Sequence, residues 1–316
     1  MRIDMTGTCV SRSIYIDRKP EKVIDYISDF GTWAKWSPWL ILEPKSEVTF
    51  STFQQQPGAQ YAWKGERIGA GKMELAHLYD HQLVFRLSYL KPFKGEAEVY
   101  FNVSPEQQGC RVEWQFQGKL PWYMFFFRQM FGAVLGMDYA RGLRMLKSAI
   151  ETGHVYSKLK DLGEKVVPQV HYIGVKGSAT TDDVGHLMQR HFDNLEDYVA
   201  EYRVPVCGEI FNLYHSMSLK TGLFEFTTCI PVSYPIEAKG KFVAGTLPSM
   251  PVYAVEHQGE YQFLGNAWSF ASSLTRAKKI KTRHKPLGIE KYLNGKMDVE
   301  PKELLTEVML VKRSES

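Results

Sequence analysis

Two glutamates in strand-like segments, each among aromatic side chains, are the residues of this sequence best suited to chemistry. Glu290 lies in GIEKYLNG, residues 288–295, and Glu225 lies in LFEFTTCIPV, residues 223–232. A carboxylate on a strand usually faces water, but one that aromatic rings desolvate attracts a cation and can act as a general acid or base. If both acids faced one groove, their repulsion would raise the pKa of one of them. Glu290 is therefore the leading candidate and Glu225 the second.

Aromatic side chains could form the walls of a groove beside Glu290, and the candidates are Tyr214, Tyr253, Trp268 and Tyr292. Side chains alternate along a strand, so Glu290 and Tyr292 share one face while Ile289 takes the other. If Ile289 packs beneath helices, Glu290 must point into a groove on the open face. The alternative is a solvated acid on an edge strand.

Common catalytic and metal-binding patterns are missing from the sequence, which contains no GxSxG, HExxH or GxxxxGK[ST] motif. His77 and His81 have the spacing of a helical metal-binding pair, but their surroundings predict two strands joined at residues 79–82, which would separate the rings. The four cysteines are scattered and form no CxxC pair. We expect no metal, no cofactor, and the reduced thiols of a cytoplasmic protein.

The charge balance does not indicate a nucleic-acid-binding protein. The net charge of the 316 residues is only +4, and 44% of them are hydrophobic. The basic stretch TRAKKIKTRHK, residues 275–285, follows a predicted helix whose dipole favours cations there, so we expect no direct contact with nucleic acid. No transmembrane segment is predicted, because Arg128 and Gln129 interrupt the apolar run at 120–137. No signal peptide is predicted, because residues 1–13 contain no uninterrupted apolar stretch. A homodimer stays open.

The first half predicts an antiparallel sheet covered by one long helix. Apolar residues alternate at 97–103 and at 112–116, as they do on half-buried strands. Leu135, Tyr139, Leu143, Leu146 and Ile150 then recur on one face of a helix, which we expect to pack on the sheet; a helix on a membrane surface is the alternative.

Two segments, SIYIDRKPEKVIDYISDFGTWAKWSPW and FGAVLGMDYARGLRMLKSAIE, resemble the START and polyketide-cyclase-like proteins of the SRPBCC superfamily. The resemblance covers residues 1–155 and implies a helix-grip fold with a cavity between sheet and helix. Three tryptophans are expected to fill the end of the sheet as core, namely Trp33, Trp36 and Trp39. Candidates for the cavity lining are Tyr61, Trp63, Arg86 and Trp114.

The second half contains an approximate repeat of about 80 residues. Residues 156–167 are charged and precede Pro168, so we predict a linker there and a second domain over 168–316. HYIGVKG (171–177) resembles YAVEHQG (253–259); GEIFNLYH (208–215) matches GIEKYLNG, and TTCIPV (227–232) matches TEVMLV (306–311). This β-α-β-β pattern, occurring twice, predicts one fused antiparallel sheet with both helices on one face and a ligand groove on the other. Ile210 is then the nearest match to Glu290.

The runs EHQGEY (256–261), PLGIEKYLN (286–294) and LLTEVMLVKR (304–313) resemble the GyrI-like effector-binding domain of AraC-type and multidrug-response regulators. The resemblance covers residues 168–313. It implies that an acid at the position of Glu290 contacts cationic or polar ligands among aromatic residues. Some GyrI-like proteins resemble hydrolases of strained electrophilic natural products, in which this acid activates water or protonates the substrate.

The chain is thus predicted to be an α+β protein of two modules, a helix-grip domain followed by a duplicated effector-binding domain. We expect a cytoplasmic, bacterial-type sensor, carrier or sequestering protein for hydrophobic or cationic amphipathic ligands, with Glu290 in the second groove. The less favoured alternative is a hydrolase or cyclase that uses Glu290 as general acid or base. The sequence leaves open the ligand, the oligomeric state and communication between the modules.

Overall fold

The computed structural model describes residues 7–92, 94–119, 126–181, 183–218, 221–295 and 299–313. The chain divides into two compact units, residues 1–155 and 156–316. Both units combine one antiparallel sheet with a few helices, so the α+β prediction is confirmed. Within the described ranges, no helix has the length and apolar character needed to cross a membrane.

The first unit is a seven-stranded antiparallel sheet followed by a long helix. Its strands, in the spatial order β1-β7-β6-β5-β4-β3-β2, are β1 (Gly7–Ile16), β2 (Glu47–Phe50), β3 (Gln60–Lys64), β4 (Ala70–Tyr79), β5 (Gln82–Lys91), β6 (Gly95–Glu106) and β7 (Gly109–Lys119). Its helices are α1 (Pro20–Ser28), α2 (Arg128–Thr152) and two 3-10 turns, Phe30–Lys35 and Leu40–Leu42.

The core of the first unit is an aromatic cluster between the sheet and α2. Trp114 of β7 stacks on Tyr139 of α2, with ring centroids 4.0 Å apart and an interplanar angle of 13°. Trp33 and Trp36 are fully buried, as expected of core residues, but Trp39 is only partly buried and its indole donates to Asp138. Gly142 allows this close approach, because a Cβ there would lie 2.6 Å from the Trp114 ring. Residues 120–125, part of the apolar run, lie outside the described residues.

The second unit is an eight-stranded antiparallel sheet with two helices. Its strands, in the spatial order β12-β9-β11-β10-β14-β15-β13-β8, are β8 (Ser157–Val167), β9 (Val170–Ala179), β10 (Phe211–Ser218), β11 (Leu223–Val232), β12 (Val243–Leu247), β13 (Met250–Gly259), β14 (Gly288–Tyr292) and β15 (Leu305–Val311). The helices are α3 (Val184–Tyr202), α4 (Leu264–Ala277) and the 3-10 turns Tyr261–Phe263 and Pro301–Glu303.

The strand order has an internal twofold pattern. The first copy, β9-α3-β10-β11, and the second copy, β13-α4-β14-β15, meet where β10 pairs with β14 in the middle of the sheet. From there, the order β10-β11-β9 runs outward on one side and β14-β15-β13 on the other. Strands β12 and β8 extend the two edges, each beside the first strand of a copy.

The predicted linker over residues 156–167 is wrong. Residues 157–167 form the edge strand β8, which pairs antiparallel with β13 from Ser157 opposite Gly259 to Val167 opposite Met250. The segment is highly charged because much of an edge strand faces solvent, so its composition is similar to that of a linker.

The predicted assignment of the two sheet faces is also wrong. Both helices pack on one face, where Met188 of α3 and Trp268 of α4 meet Tyr214 and Phe226. Ile289 lies on the opposite face, in an apolar cluster whose members all come from strands. The alternation was predicted correctly, but both faces are apolar, so Ile289 could not indicate which of them carries the helices.

Candidate functional site

The candidate site lies at the centre of the second sheet, on the face that carries α3 and α4. Glu290 of β14 pairs directly with Asn212 of β10, and Gly288 pairs with Tyr214. Partners in an antiparallel ladder point to the same face, so these side chains lie together beneath the helices. Gly288 leaves room for the Trp268 indole, because a Cβ at this position would lie 2.8 Å from that ring.

The Glu290 carboxylate is buried and accepts three hydrogen bonds from aromatic side chains. The side chain is almost entirely enclosed, and Glu290 is only 3% exposed. Its Oε1 accepts a hydrogen bond of 2.5 Å from the indole Nε1 of Trp268. Its Oε2 accepts from the hydroxyl groups of Tyr214 at 2.9 Å and Tyr292 at 3.0 Å. Three of the predicted aromatic residues therefore contact the predicted acid.

Burial and hydrogen bonding act on Glu290 in opposite directions. Burial disfavours the charged form and raises the pKa of the Glu290 carboxyl above its ordinary value, while the bonds from Trp268, Tyr214, Tyr292 and Asn212 partly offset this rise. Burial also raises the pKa of Tyr214 and of Tyr292 well above the usual range, so both hydroxyl groups stay protonated as donors. The site thus holds one acid among neutral donors.

The half of the site from the first copy mirrors the Glu290 half. Asn212 takes the place of the acid, its Nδ2 donates to the Tyr292 hydroxyl at 2.6 Å, and it lies 3.4 Å from Met188 Sδ on α3. Tyr214 follows Asn212 by two residues, as Tyr292 follows Glu290. The register therefore makes Asn212, and not Ile210, the counterpart of Glu290. Asn212 and Met188 were missed from the sequence, although Asn-Leu-Tyr beside Glu-Lys-Tyr contained the signal.

Two predicted site residues lie elsewhere. Tyr253 is on the same face, but its hydroxyl donates to Asp161 at 2.7 Å, and Lys278 at the end of α4 contacts both. Glu225 points to the face opposite Phe226, is exposed, and accepts a hydrogen bond of 2.6 Å from Ser216. Glu290 and Glu225 therefore point to opposite faces of the sheet and do not share a groove.

A second buried polar cluster lies beneath the start of α4. His257 Nε2 is 2.9 Å from Ser157 Oγ, which accepts a hydrogen bond from Asn266 at 3.0 Å. Burial lowers the pKa of His257 to about 4, so the ring is neutral at pH 7. Among the described residues, His257 Nδ1 and the hydroxyl of its cross-strand neighbour Thr306 are buried without a partner.

The first unit has a concavity of about 640 Å³ at the end of its sheet where β1 begins and β7 ends. Residues 7–9, 86–88, 96–98 and 117–119 line it, and Arg86 is the predicted lining residue among them. Tyr61 and Trp114 are buried in the aromatic core instead. Throughout the described ranges, no group of three or more His, Cys, Asp or Glu side chains is arranged to hold a metal ion.

Comparison with protein families assigns each half of the chain. Residues 7–151 match the family described as polyketide cyclase/dehydrase and lipid transport. Residues 164–311 match the GyrI-like small molecule binding domain. A search of curated proteins found no significant match to this sequence.

A search of solved structures found similar chains of low sequence identity. EcmrR in the EcmrR–DNA complex of EcmrR-RPo is 15% identical, with 61% of this chain and 73% of that chain covered and a TM-score of 0.44. The EcmrR C-terminal domain is 15% identical over 51% of this chain and 100% of that chain, with a TM-score of 0.41. The di-domain ARO/CYC StfQ from the steffimycin biosynthetic pathway is 10% identical over 46% of this chain and 51% of that chain, with a TM-score of 0.38.

The fold of each unit and the two family matches lead to one assignment. The chain joins a domain of the polyketide cyclase/dehydrase and lipid transport family, over residues 7–151, to a GyrI-like small molecule binding domain, over residues 164–311.

Proposed function

We propose that the second unit binds amphipathic cations at Glu290, and that the protein acts in the cytoplasm as a sensor, carrier or sequestering protein for them. One observation carries this proposal: the Glu290 carboxylate lies buried among Trp268, Tyr214 and Tyr292, on the sheet face that carries α3 and α4. An ionised carboxylate in such surroundings is unfavourable without a counter-charge, and a ligand cation supplies one. The aromatic faces add cation–π attraction of about 1–2 kcal/mol.

The position of the site suits a sensor. Its side chains come from both copies of the repeat and from both helices, with Met188 on α3 and Trp268 on α4. A ligand between them has to displace side chains that now enclose Glu290, because this residue is almost fully buried. We propose that this displacement changes the packing of α3 and α4 on the sheet. A partner protein could then bind the ligand-bound and ligand-free conformations with different affinities.

The test compares Glu290→Gln with Glu225→Gln, which removes the same charge from an exposed position of the same sheet. We expect aromatic cations such as 2-naphthylmethylammonium to bind the wild type, and we expect Glu290→Gln to weaken binding at least tenfold. Glu225→Gln should bind like the wild type. Isothermal titration calorimetry measures the affinities, and thermal melting checks that each variant is folded. Equal binding by wild type and Glu290→Gln would contradict the proposal.

A second candidate is a hydrolase in which Glu290 is the general acid. The observation in its favour is the raised pKa of Glu290, because a buried carboxylic acid that keeps its proton can protonate a leaving group. Incubation with a strained electrophile, such as an aryl epoxide, separates the two candidates. The hydrolase would be favoured if the wild type and Glu225→Gln turn the epoxide over and Glu290→Gln does not. We expect binding without turnover.

For the first unit, we propose a hydrophobic ligand in the concavity of about 640 Å³. Its lining includes the side chains of Leu87 and Ala97 and the residue Thr8. Native mass spectrometry of the freshly purified protein would reveal a retained ligand as a mass increment. If delipidated protein then takes up no fatty acid or aromatic polyketide, this part of the proposal fails.

A further inference from the structure

The side chain of Asn212 indicates which hydrogen-bond donors a ligand at Glu290 must have. This side chain is fully buried, and its Nδ2 donates to the Tyr292 hydroxyl and lies close to Met188 Sδ. The same amide helps to stabilise the Glu290 carboxylate. Its Oδ1 has no hydrogen-bond partner among the described residues. A buried acceptor without a donor destabilises the folded protein, so such a group normally faces a ligand or an ordered water. Here it lies directly across the ladder from the proposed cation-binding carboxylate.

The free acceptor positions of the site can be counted. A carboxylate has about four lone-pair sites, and Glu290 uses one on Oε1, for Trp268, and two on Oε2, for the tyrosines. Among the hydrogen bonds of the described residues, Oε1 accepts one, from Trp268, and can accept a second. Asn212 Oδ1, which is buried without a partner among those residues, adds another acceptor within one cross-strand spacing, about 5 Å. A ligand that satisfies the site must donate at least two hydrogen bonds.

We propose that the cation bound at Glu290 carries at least two N–H groups, as a primary ammonium or an amidinium does, and that Asn212 selects it over quaternary cations. This inference rests on the proposed function. One N–H is donated to Glu290 Oε1 and the second to Asn212 Oδ1, while the apolar part of the ligand lies against Met188 and Phe226. A quaternary ammonium has no N–H and leaves Asn212 Oδ1 unsatisfied.

The direction of this selectivity is opposite to what a simple aromatic site would give. A primary ammonium is more strongly hydrated than its trimethyl analogue and loses more on burial. A carboxylate with aromatic walls alone would therefore favour the quaternary cation through cation–π attraction. Selection of the primary ammonium requires a second acceptor, and Asn212 is the group placed to provide it.

The experiment uses one ring system with two head groups, 2-naphthylmethylammonium and its N,N,N-trimethyl analogue, titrated by calorimetry into the full-length protein at pH 7.5. We expect the wild type to bind the primary ammonium about tenfold more tightly. Asn212→Leu, which has a similar volume and no polar atoms, should reduce the ratio to about one or invert it. Glu290→Gln should weaken both probes.

The outcomes separate this inference from the proposed function. Equal or tighter binding of the trimethyl probe by wild type, with both probes weakened in Glu290→Gln, overturns the selectivity while cation binding at Glu290 stands. If the Asn212→Leu variant is folded and still binds the primary ammonium more tightly than the trimethyl probe, Asn212 is not the source of the selectivity. If neither cation binds the wild type, both fail. The wild-type comparison needs no variant, so it decides the selectivity even if Asn212→Leu does not fold.

Discussion

At the scale of single residues, the second unit keeps an acid buried by surrounding it with donors. Three of the donors belong to aromatic side chains, so the same residues hydrogen-bond the carboxylate and exclude water from it. The balance is incomplete, because burial still raises the pKa of Glu290. The ionised form is therefore held at a disadvantage that a bound cation would remove.

Removing one donor should raise the pKa of Glu290 further. Tyr214→Phe deletes a hydrogen bond to the charged form while keeping the ring, so we expect the titration midpoint of Glu290 to rise. The indole N–H of Trp268 reports this titration by NMR, because it donates to Oε1 and is the only tryptophan of residues 156–316. Lowering the pH through the same midpoint protonates Glu290, so cation affinity should decrease as the pH is lowered.

The control is Tyr253→Phe, on the same face of the sheet but hydrogen-bonded to Asp161. It should leave the Trp268 titration unchanged. An unaltered midpoint in Tyr214→Phe would mean that this hydroxyl does not stabilise the carboxylate.

At the scale of elements, β8 shows that a charged segment can be part of a sheet. If residues 157–167 were a linker, prolines there would be harmless. Because β8 pairs with β13 along its whole length, two adjacent prolines, at Leu159 and Lys160, must remove at least one ladder hydrogen bond. We expect a loss of about 1–3 kcal/mol in the free energy of unfolding of the second unit.

Urea titration monitored by ¹⁹F NMR, with 5-fluorotryptophan at Trp268 as the probe, measures the unfolding of the second unit alone. Glu237→Pro, at an exposed position outside any strand, is the matched control and should have little effect. A double-proline variant as stable as the wild type would show that β8 contributes nothing to the sheet.

The cluster joining β8, β13 and α4 should make stability depend on pH. The pKa of His257 is about 4 in the folded protein and near 6.5 when exposed, so the unfolded chain binds more protons between these values. The contribution of His257 is therefore complete above pH 6.5 and falls by about 3 kcal/mol as the pH drops to 4.

Urea titrations at pH 7 and pH 4.5 measure this loss. His257→Gln cannot be protonated, so its stability should change less between the two pH values than that of the wild type. His284→Gln, an exposed histidine, should behave like the wild type. If His257→Gln and wild type lose the same stability on acidification, the buried ring is not the cause.

At the scale of the whole molecule, the sequence predicted both folds, and it singled out a glutamate that the structure buries among aromatic side chains. Strand alternation and the helical spacing of Leu135, Tyr139, Leu143 and Leu146 depend on local periodicity, which a single sequence contains. The sheet face that bears Glu290 could not be predicted, because apolar side chains cover both faces. Asn212 was missed because its role depends on cross-strand register, which the repeat alignment placed two residues away.

Asn212 pairs with Glu290 across the centre of the sheet, and these two different residues could not face each other in this way in a symmetric pair of identical chains. Two separate, identical chains related by a true rotation axis would carry the same residue at both positions. They would offer either two facing carboxylates, which repel, or two facing amides, which bear no charge. Joining the copies covalently frees the two positions to differ, so a single charge can sit beside an uncharged partner.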